Sequence, residues 1–281
     1  WYGGPLQRLI AKNIRVPQLT IGDLNAQFAA GSVGAGRLKQ LAEKYGGDTV
    51  EATMAELIAY SERRVRAAIA AVPDGTWHGE DNIDDDGLTD EPRTIRVALT
   101  IKGDTIHCDF TGTSEQVARN LNSPLSSTFS ATFTPIKAAL TSTDIPFNHG
   151  STRAVTLDVP YGSILNPKPP APVHARMLVC YRTFNAVMKA LSQAVPEKVI
   201  ACGYDTTTAL YLSHFDDDRY RVIAEVLGGG YGAGHRNDGV SAVGGPLANC
   251  TNTPVEVLDL DYDFFRMHEY SLRPDSGGGG P

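Results

Sequence analysis

The chain is 281 residues long, carries a formal net charge of −7, and is 42% hydrophobic and 20% charged. That size allows a sizeable core, in one large or two modest domains. No run approaches the roughly 18 consecutive apolar residues of a membrane span, and no charged-then-apolar segment of the secretory kind opens the chain. Clustered Lys and Arg that would track a phosphate backbone are absent. The densest basic group, Arg63, Arg64 and Arg66, falls inside a helical pattern and reads as a solvated helix face.

Four cysteines, Cys108, Cys180, Cys202 and Cys250, lie far apart and form no CxxC pair. Neither a disulfide framework nor a zinc ribbon has that spacing, so reduced core or near-core thiols in the cytoplasm are expected. The chain opens Trp1-Tyr2-Gly3-Gly4 and closes on Asp275-Ser276-Gly277-Gly278-Gly279-Gly280-Pro281, which reads as a fragment cut at both ends.

In chain order, Gly22 to Tyr45 reads as a helix with a break at Gly31, Gly34 and Gly36. Asp48 with Glu51 resembles a capping box. Met54, Leu57, Ile58, Val65, Ala68 and Ile69 then recur at helical spacing until Pro73-Asp74-Gly75 stops them. Residues 1–75 are thus a helical segment, and 76–281 a mixed α/β body of the same domain. The acidic run Asp81 to Asp86 lacks the alternating ligands and distal Glu of a calcium loop and reads as a solvated turn. Ile95 to Ile101, the turn Lys102-Gly103-Asp104 and Thr105 to Phe110 form a β-hairpin.

A helix is expected from about Ser126 to Leu140 and a strand at Val155 to Val159. The run Asn166-Pro167-Lys168-Pro169-Pro170-Ala171-Pro172 is stiff and extended, a positioned strap. A long helix follows from His174 to Ala194, with Met177, Leu178, Tyr181, Phe184, Val187, Met188 and Leu191 on its apolar stripe. Strands are expected at Lys198 to Cys202, Ala209 to His214, Tyr220 to Val226 and Val255 to Leu258, with Asp216-Asp217-Asp218 as a hairpin turn. The fold class is α+β, with mixed, largely antiparallel sheets, several long helices and glycine-rich loops.

Several segments could carry chemistry. Asp109, Thr111, Gly112 and Thr113 leave a strand as a carboxylate, hydroxyls and a glycine that can line a polar pocket, although turns use the same residues. The segment Gly228 to Gly245, with Gly229, Gly230, His235, Arg236 and Asp238, could hold an anion on backbone amides. It has neither a P-loop nor a dinucleotide fingerprint. Asn252, Thr253 and Glu256 form a polar turn into a strand, and Cys250 beside them has no sequence-local base to make it a nucleophile. Asn148, and His174 with Arg176, flank turns that could face a cleft. No histidine pair has metal-ligand spacing.

Taken together, these stretches resemble the hydantoinase B/oxoprolinase family. The matching strings include Ile14-Arg15-Val16-Pro17, Gly22 to Gln27, Tyr60-Ser61-Glu62-Arg63-Arg64 and Asp84-Asp85-Asp86-Gly87. They continue with Asp109 to Ser114, Asn120-Leu121-Asn122-Ser123-Pro124, Ile145 to Asn148, Asn166 to Val173, Asn252 to Val257 and Leu272 to Gly278. The resemblance implies a subunit of an ATP-dependent hydrolase of cyclic amides such as hydantoins, 5-oxoproline and related lactams. It implies that ATP binds an actin-like ATPase partner, the hydantoinase A-type subunit. A divalent metal is expected in an amino-terminal region that this chain lacks, and activity is expected to need that region and the partner. The related ketone carboxylases and a catalytically inert scaffold are the alternative readings.

Overall fold

A computed structural model describes residues 1–14, 16–206, 208–216, 219–248 and 254–274. Its backbone contacts divide the chain into two compact units, residues 1–56 with 209–225, and residues 57–208 with 226–281.

The first unit contains α1 (Pro5–Lys12), α2 (Pro17–Tyr45) and the start of α3 (Gly47–Ala70). It also holds most of the two-stranded sheet of β5 (Thr208–Asp216) and β6 (Arg219–Leu227). Trp1, ahead of α1, packs on α2, its ring tilted against Phe28 with centroids 4.9 Å apart and its Nε1–H donating to Asn25 Oδ1 at 2.8 Å. The expected break in α2 is absent, and one helix of 29 residues runs through all three glycines. Glycine disfavours a helix by about 1 kcal/mol relative to alanine, but it keeps its N–H and introduces no clash, so the ladder continues. Helix α3 begins at Gly47 after Gly46 at φ +87°, which places Asp48 inside the first turn rather than at a cap. The expected strands at 209–214 and 220–226 are present, and the turn at Asp217 and Asp218 lies outside the described residues.

The second unit is built on a four-stranded sheet in the order β1 (Gly75–Ile83), β2 (Arg93–Lys102), β3 (Thr105–Asp109), β4 (Val155–Asp158). The first three strands are antiparallel, and β4 joins β3 in parallel. The expected hairpin is β2–β3. Ile95, Val97, Leu99 and Ile101 alternate onto one face with Ile106 and Cys108, and all are buried. Against them pack Val65 and Ile69 of α3, Phe133 and Ile136 of α4 (Leu125–Leu140), and Val179, Val187 and Leu191 of α6 (Arg176–Ala194). The short helix α5 (His149–Thr152) lies between α4 and β4 in the chain.

Three sequence expectations are corrected here. The run Asp81–Asp86 is not simply a solvated turn. Its first residues end β1, paired over nine positions with β2, and Asp86 is buried. Pairing with a strongly apolar neighbour overrides the low strand propensity of a segment containing two glycines and three acidic or amide side chains. Val255 to Leu258 is helical, α7 (Val255–Asp261): Pro254 supplies an extended cap residue, and Leu258 is the position buried. Lys198 to Cys202 forms no strand. A 3-10 turn at Pro196–Lys198 leads into it, and it carries a single bridge from Ile200 to Gly234.

Candidate functional site

The site starts from how α6 is held. Gly79 faces this helix from β1, and a Cβ there would lie 1.9 Å from the Ala186 carbonyl oxygen. Only glycine permits so close a helix–sheet contact. Two residues on, Asp81 points toward the same helix and is ringed by donors. Arg182 Nη1 lies 3.2 Å from Asp81 Oδ2, Lys189 Nζ is 3.1 Å from Oδ1, and Asn185 Nδ2 donates to Oδ2 at 2.9 Å. Asn185 also donates to the buried Asp205, and Arg182 donates to the Asp205 carbonyl. A carboxylate this shielded needs such partners. The network fixes the rotation and height of α6 on the sheet.

The amino-terminal end of α6 is fixed separately, through Asn122. Its side chain accepts from Val117 N–H at 2.9 Å, and its amide donates to the carbonyls of Val117, Arg119 and Pro172 at 2.9 to 3.0 Å. Ala175 N–H donates to the Asn120 carbonyl at 2.8 Å. Asn166 Nδ2 and Lys168 N–H hold the other end of the proline-rich segment, on Val159 O and Gln116 Oε1. The strap is therefore pinned at both ends, and Arg176 emerges from it at a defined place.

There, α4 and α6 enclose a cavity of about 310 Å³, lined by Ser126, Ser127, Ser130, Ala131, Arg176, Met177, Cys180 and Leu247. Helical spacing explains the set: i, i+1 and i+4 share a face, as Ser126, Ser127 and Ser130 do on one helix and Arg176, Met177 and Cys180 on the other. Ser130 returns its hydroxyl proton to the Ser126 carbonyl at 3.1 Å. Arg176 is the charged member of the lining and forms no ion pair among the described residues. Beneath the floor, Thr128 Oγ1 donates to the Leu165 carbonyl at 2.7 Å and lies 3.1 Å from Ser123 Oγ, which is 3.7 Å from Cys180 Sγ. Burial pushes the Cys180 thiol up, against the opposing pull of Ser123 and Arg176. A protonated thiol is a wall, not a nucleophile.

The other sequence-derived candidates fall elsewhere. Asp109 and Thr111 line a cavity of about 350 Å³ on the opposite face of the sheet, with His78, Glu80, Arg96 and the backbone around Val97. The Thr111 hydroxyl and N–H keep the Asp109 carboxyl below its usual range. Gly112, at φ +89°, turns its carbonyl toward Arg96 Nη1 at 3.4 Å, and Thr113 Oγ1 bonds the Arg96 backbone on both sides. Asn148 is engaged in a capping box with Ser151 and in bonds to Leu57 O and Ser61 Oγ. His174 is exposed in the turn before α6.

Within the glycine-rich segment, the Gly230, Tyr231 and Gly234 amides donate to Val243, Val240 and Asn237 carbonyls, so these amides are already committed. A Cβ at Gly229 would overlap the Tyr204 ring, and one at Gly232 would overlap the Ala201 carbonyl. His235, Arg236 and Asp238 are exposed around the Gly234–Asn237 bridge. Glu256 is exposed in the first turn of α7, while Asn252, Thr253 and Cys250 lie outside the described residues. Cys108 is fully buried, its thiol pushed up to about 12, whereas Cys202 is exposed rather than part of the core.

A second polar cavity, of about 290 Å³, lies beside Arg182 and Asp205 with Asp84, Asp85 and Thr206 on its walls. Sequence reasoning missed the α4 serines, Asn122 and the Asp81 network. A legible signal existed for one of them: Arg182, Asn185 and Lys189 stand at i, i+3 and i+7, on one polar stripe of the helix. Among the described residues, no three His, Cys, Asp or Glu side chains are grouped to hold a metal ion, and no helix is long and apolar enough to cross a membrane.

A mixed α+β body, a pinned proline strap and an α4–α6 cavity together gather most of the motif strings into one framework. The chain belongs to the hydantoinase B/oxoprolinase family, whose model matches residues 4–281. It is 35% identical to the B component of a putative D-/L-hydantoinase from a Pseudomonas species, over 97% of this chain and 47% of that protein. It superposes with a TM-score of 0.88 on the crystal structure of the ATP-dependent caprolactamase of Pseudomonas jessenii, at 31% identity over 98% of this chain and 48% of the other. A nucleotide-free acetone carboxylase shares the fold, with a TM-score of 0.69, 18% identity and coverage of 79% and 32%. The chain spans about half the length of the hydantoinase and caprolactamase components it matches.

Proposed function

We propose that this chain is part of the B-type component of a cytoplasmic, ATP-dependent enzyme that opens cyclic amides, working with an ATPase partner of the hydantoinase A type. The observation that carries this reading is the likeness to an ATP-dependent caprolactamase along almost the whole chain. A five-membered cyclic amide is a poor electrophile. Transfer of the ATP γ-phosphoryl group to its carbonyl oxygen, releasing ADP, makes that carbon open to water; the adduct collapses with cleavage of the C–N bond to an acyl phosphate, and a second water releases inorganic phosphate and leaves the carboxylate. Any divalent metal the chemistry uses belongs in this reading to the part of the protein not contained in this chain.

This chain's contribution is a wall that binds and orients the ring. In the α4–α6 cavity, Arg176 and the hydroxyls of Ser126 and Ser127 supply donors, while Ala131, Met177 and Leu247 cover apolar ring atoms. Fixed donors on rigid elements cost little reorganisation when charge develops. Asp81, Arg182, Asn185 and Asn122 act as positioning residues, since they hold α6 and not the ring.

The test uses the complete protein with its partner ATPase, following ADP release with hydantoin, 5-oxoproline and caprolactam. Stimulation by at least one cyclic amide, with stoichiometric ring opening, is the expected result. Stimulation only by a ketone with bicarbonate, or by none of these compounds, would overturn the proposal.

A further inference from the structure

Of the three cavities described, the one between α4 and α6 has an unusual charge balance. The cavity beside Arg182 already pairs that cation with Asp81 and is rimmed by Asp84 and Asp85. The sheet-face cavity pairs Arg96 with Glu80 at 3.1 Å. Among the described residues, the lining of the α4–α6 cavity has one cation, Arg176, and no carboxylate. Arg176 forms no ion pair among the described residues, and it stands opposite hydroxyls rather than acids. Its guanidinium offers five donors in a planar fork that fits a carboxylate. The rest of the lining is small or apolar, and about 310 Å³ is ample for a small ring. The cavity also lies at the amino-terminal ends of both helices, neither of which has a side-chain cap, so their partial positive charge adds to that of Arg176.

We propose that the α4–α6 cavity is a carboxylate-binding site in which Arg176 grips the carboxylate, Ser126 and Ser127 donate to it, and Ala131, Met177 and Leu247 hold the attached carbon skeleton. This rests on the reading of the chain as part of a cyclic amide hydrolase. Two carboxylates occur in such a reaction. One is carried by the ring itself when the substrate is a cyclised amino acid. The other is created when water adds to the amide carbon and the C–N bond breaks, leaving the former carbonyl carbon as a carboxylate and the nitrogen as an amine or carbamoyl group. The cavity's chemistry suits both, and Arg176 is in either case a residue that touches the ligand.

The experiment compares the wild-type, Arg176→Gln and Arg176→Lys forms of the complete protein. Binding is measured first, without turnover, by calorimetry with 5-oxoproline and with 2-pyrrolidone, the same ring without the carboxylate. Loss of one charged hydrogen-bonding partner is expected to weaken 5-oxoproline about tenfold or more in the glutamine variant. The lysine variant should recover part of the loss, because it keeps the charge and lacks the fork.

With the partner ATPase present, kinetics then separate the two sources. If the carboxylate is the substrate's, the ratio of kcat/KM for 5-oxoproline over 2-pyrrolidone falls by about the same factor in Arg176→Gln. If it is the product's, that ratio holds and inhibition by the ring-opened amino acid weakens about tenfold for both substrates. Unaltered binding of 5-oxoproline, with unaltered ratio and product inhibition, would overturn the proposal. Arginine-dependent binding in a protein that no cyclic amide activates would instead leave the carboxylate site standing and sink the hydrolase reading. Thermal melting of the three proteins checks folding, and no large shift is expected for an exposed side chain with no ion pair.

Discussion

Asp86 shows how much a single side chain does in a segment that looks like a polar turn. Its Oδ1 accepts from the N–H groups of Leu88 and Thr89 at 2.9 Å each, and its Oδ2 meets Arg93 at 2.6 Å. The two backbone donors, then Arg93, hold its carboxyl down to about 2. In an unfolded chain the same group titrates near ~3.9. A folded pKa below the unfolded one means the stabilisation is complete above about pH 4 and is lost as pH falls through about 2. Urea unfolding midpoints measured across that window should therefore fall for the wild type and fall less for Asp86→Asn. Equal slopes would show that the turn does not depend on the ionised form. Glu62, Asp109 and Asp144 are also held below their usual range, so the difference between the two proteins, and not the wild-type curve alone, is the readout.

At the scale of elements, the contact between β1 and α6 decides where the site's walls stand. Gly79→Ala would drive a methyl group into the Ala186 carbonyl and toward the Ala190 N–H, 2.9 Å away. Both are helix backbone, which cannot rotate aside as a side chain can. The expected loss is at the upper end of the roughly 1–3 kcal/mol typical of overpacking, measured by chemical denaturation. A loss below about 0.5 kcal/mol, the usual range for surface changes, would mean the helix can lift without penalty. The strap is the second such device. Asn122 joins it to the turn before α4, so the motif strings around Asn120 and Asn166 are spatial neighbours that together position Arg176.

At the scale of the whole chain, burial is unevenly distributed. Neither α1 nor α2 contains a buried residue, whereas α6 buries eleven, among them Tyr181, Phe184 and Leu191. Amide protection follows buried contact and cooperative structure. Hydrogen exchange on this chain should find the α1 and α2 amides exchanging faster than those of α4 and α6, with β2 and α6 slowest. Comparable protection in α2 and α6 would contradict the burial pattern.

What the sequence alone determined is what local chemistry writes. The hairpin of β2 and β3 follows from apolar alternation around Lys102-Gly103-Asp104, the long α6 from its apolar stripe, and family membership from ordered short strings. Arg176 was legible as a residue to watch, because with His174 it flanks a turn that could face a cleft. Only the tertiary structure decided the identity of β1, whose own propensities are poor and whose partner supplies the pairing. The same holds for α7, where a β-branched run had no strand to join. It also assembled the candidate site: Asp81 meets α6 across about a hundred residues, and the α4 serines share a cavity lining with Arg176 across about fifty. Such pairings leave no local periodicity, because the energy that selects them is gained only when distant segments exclude water together.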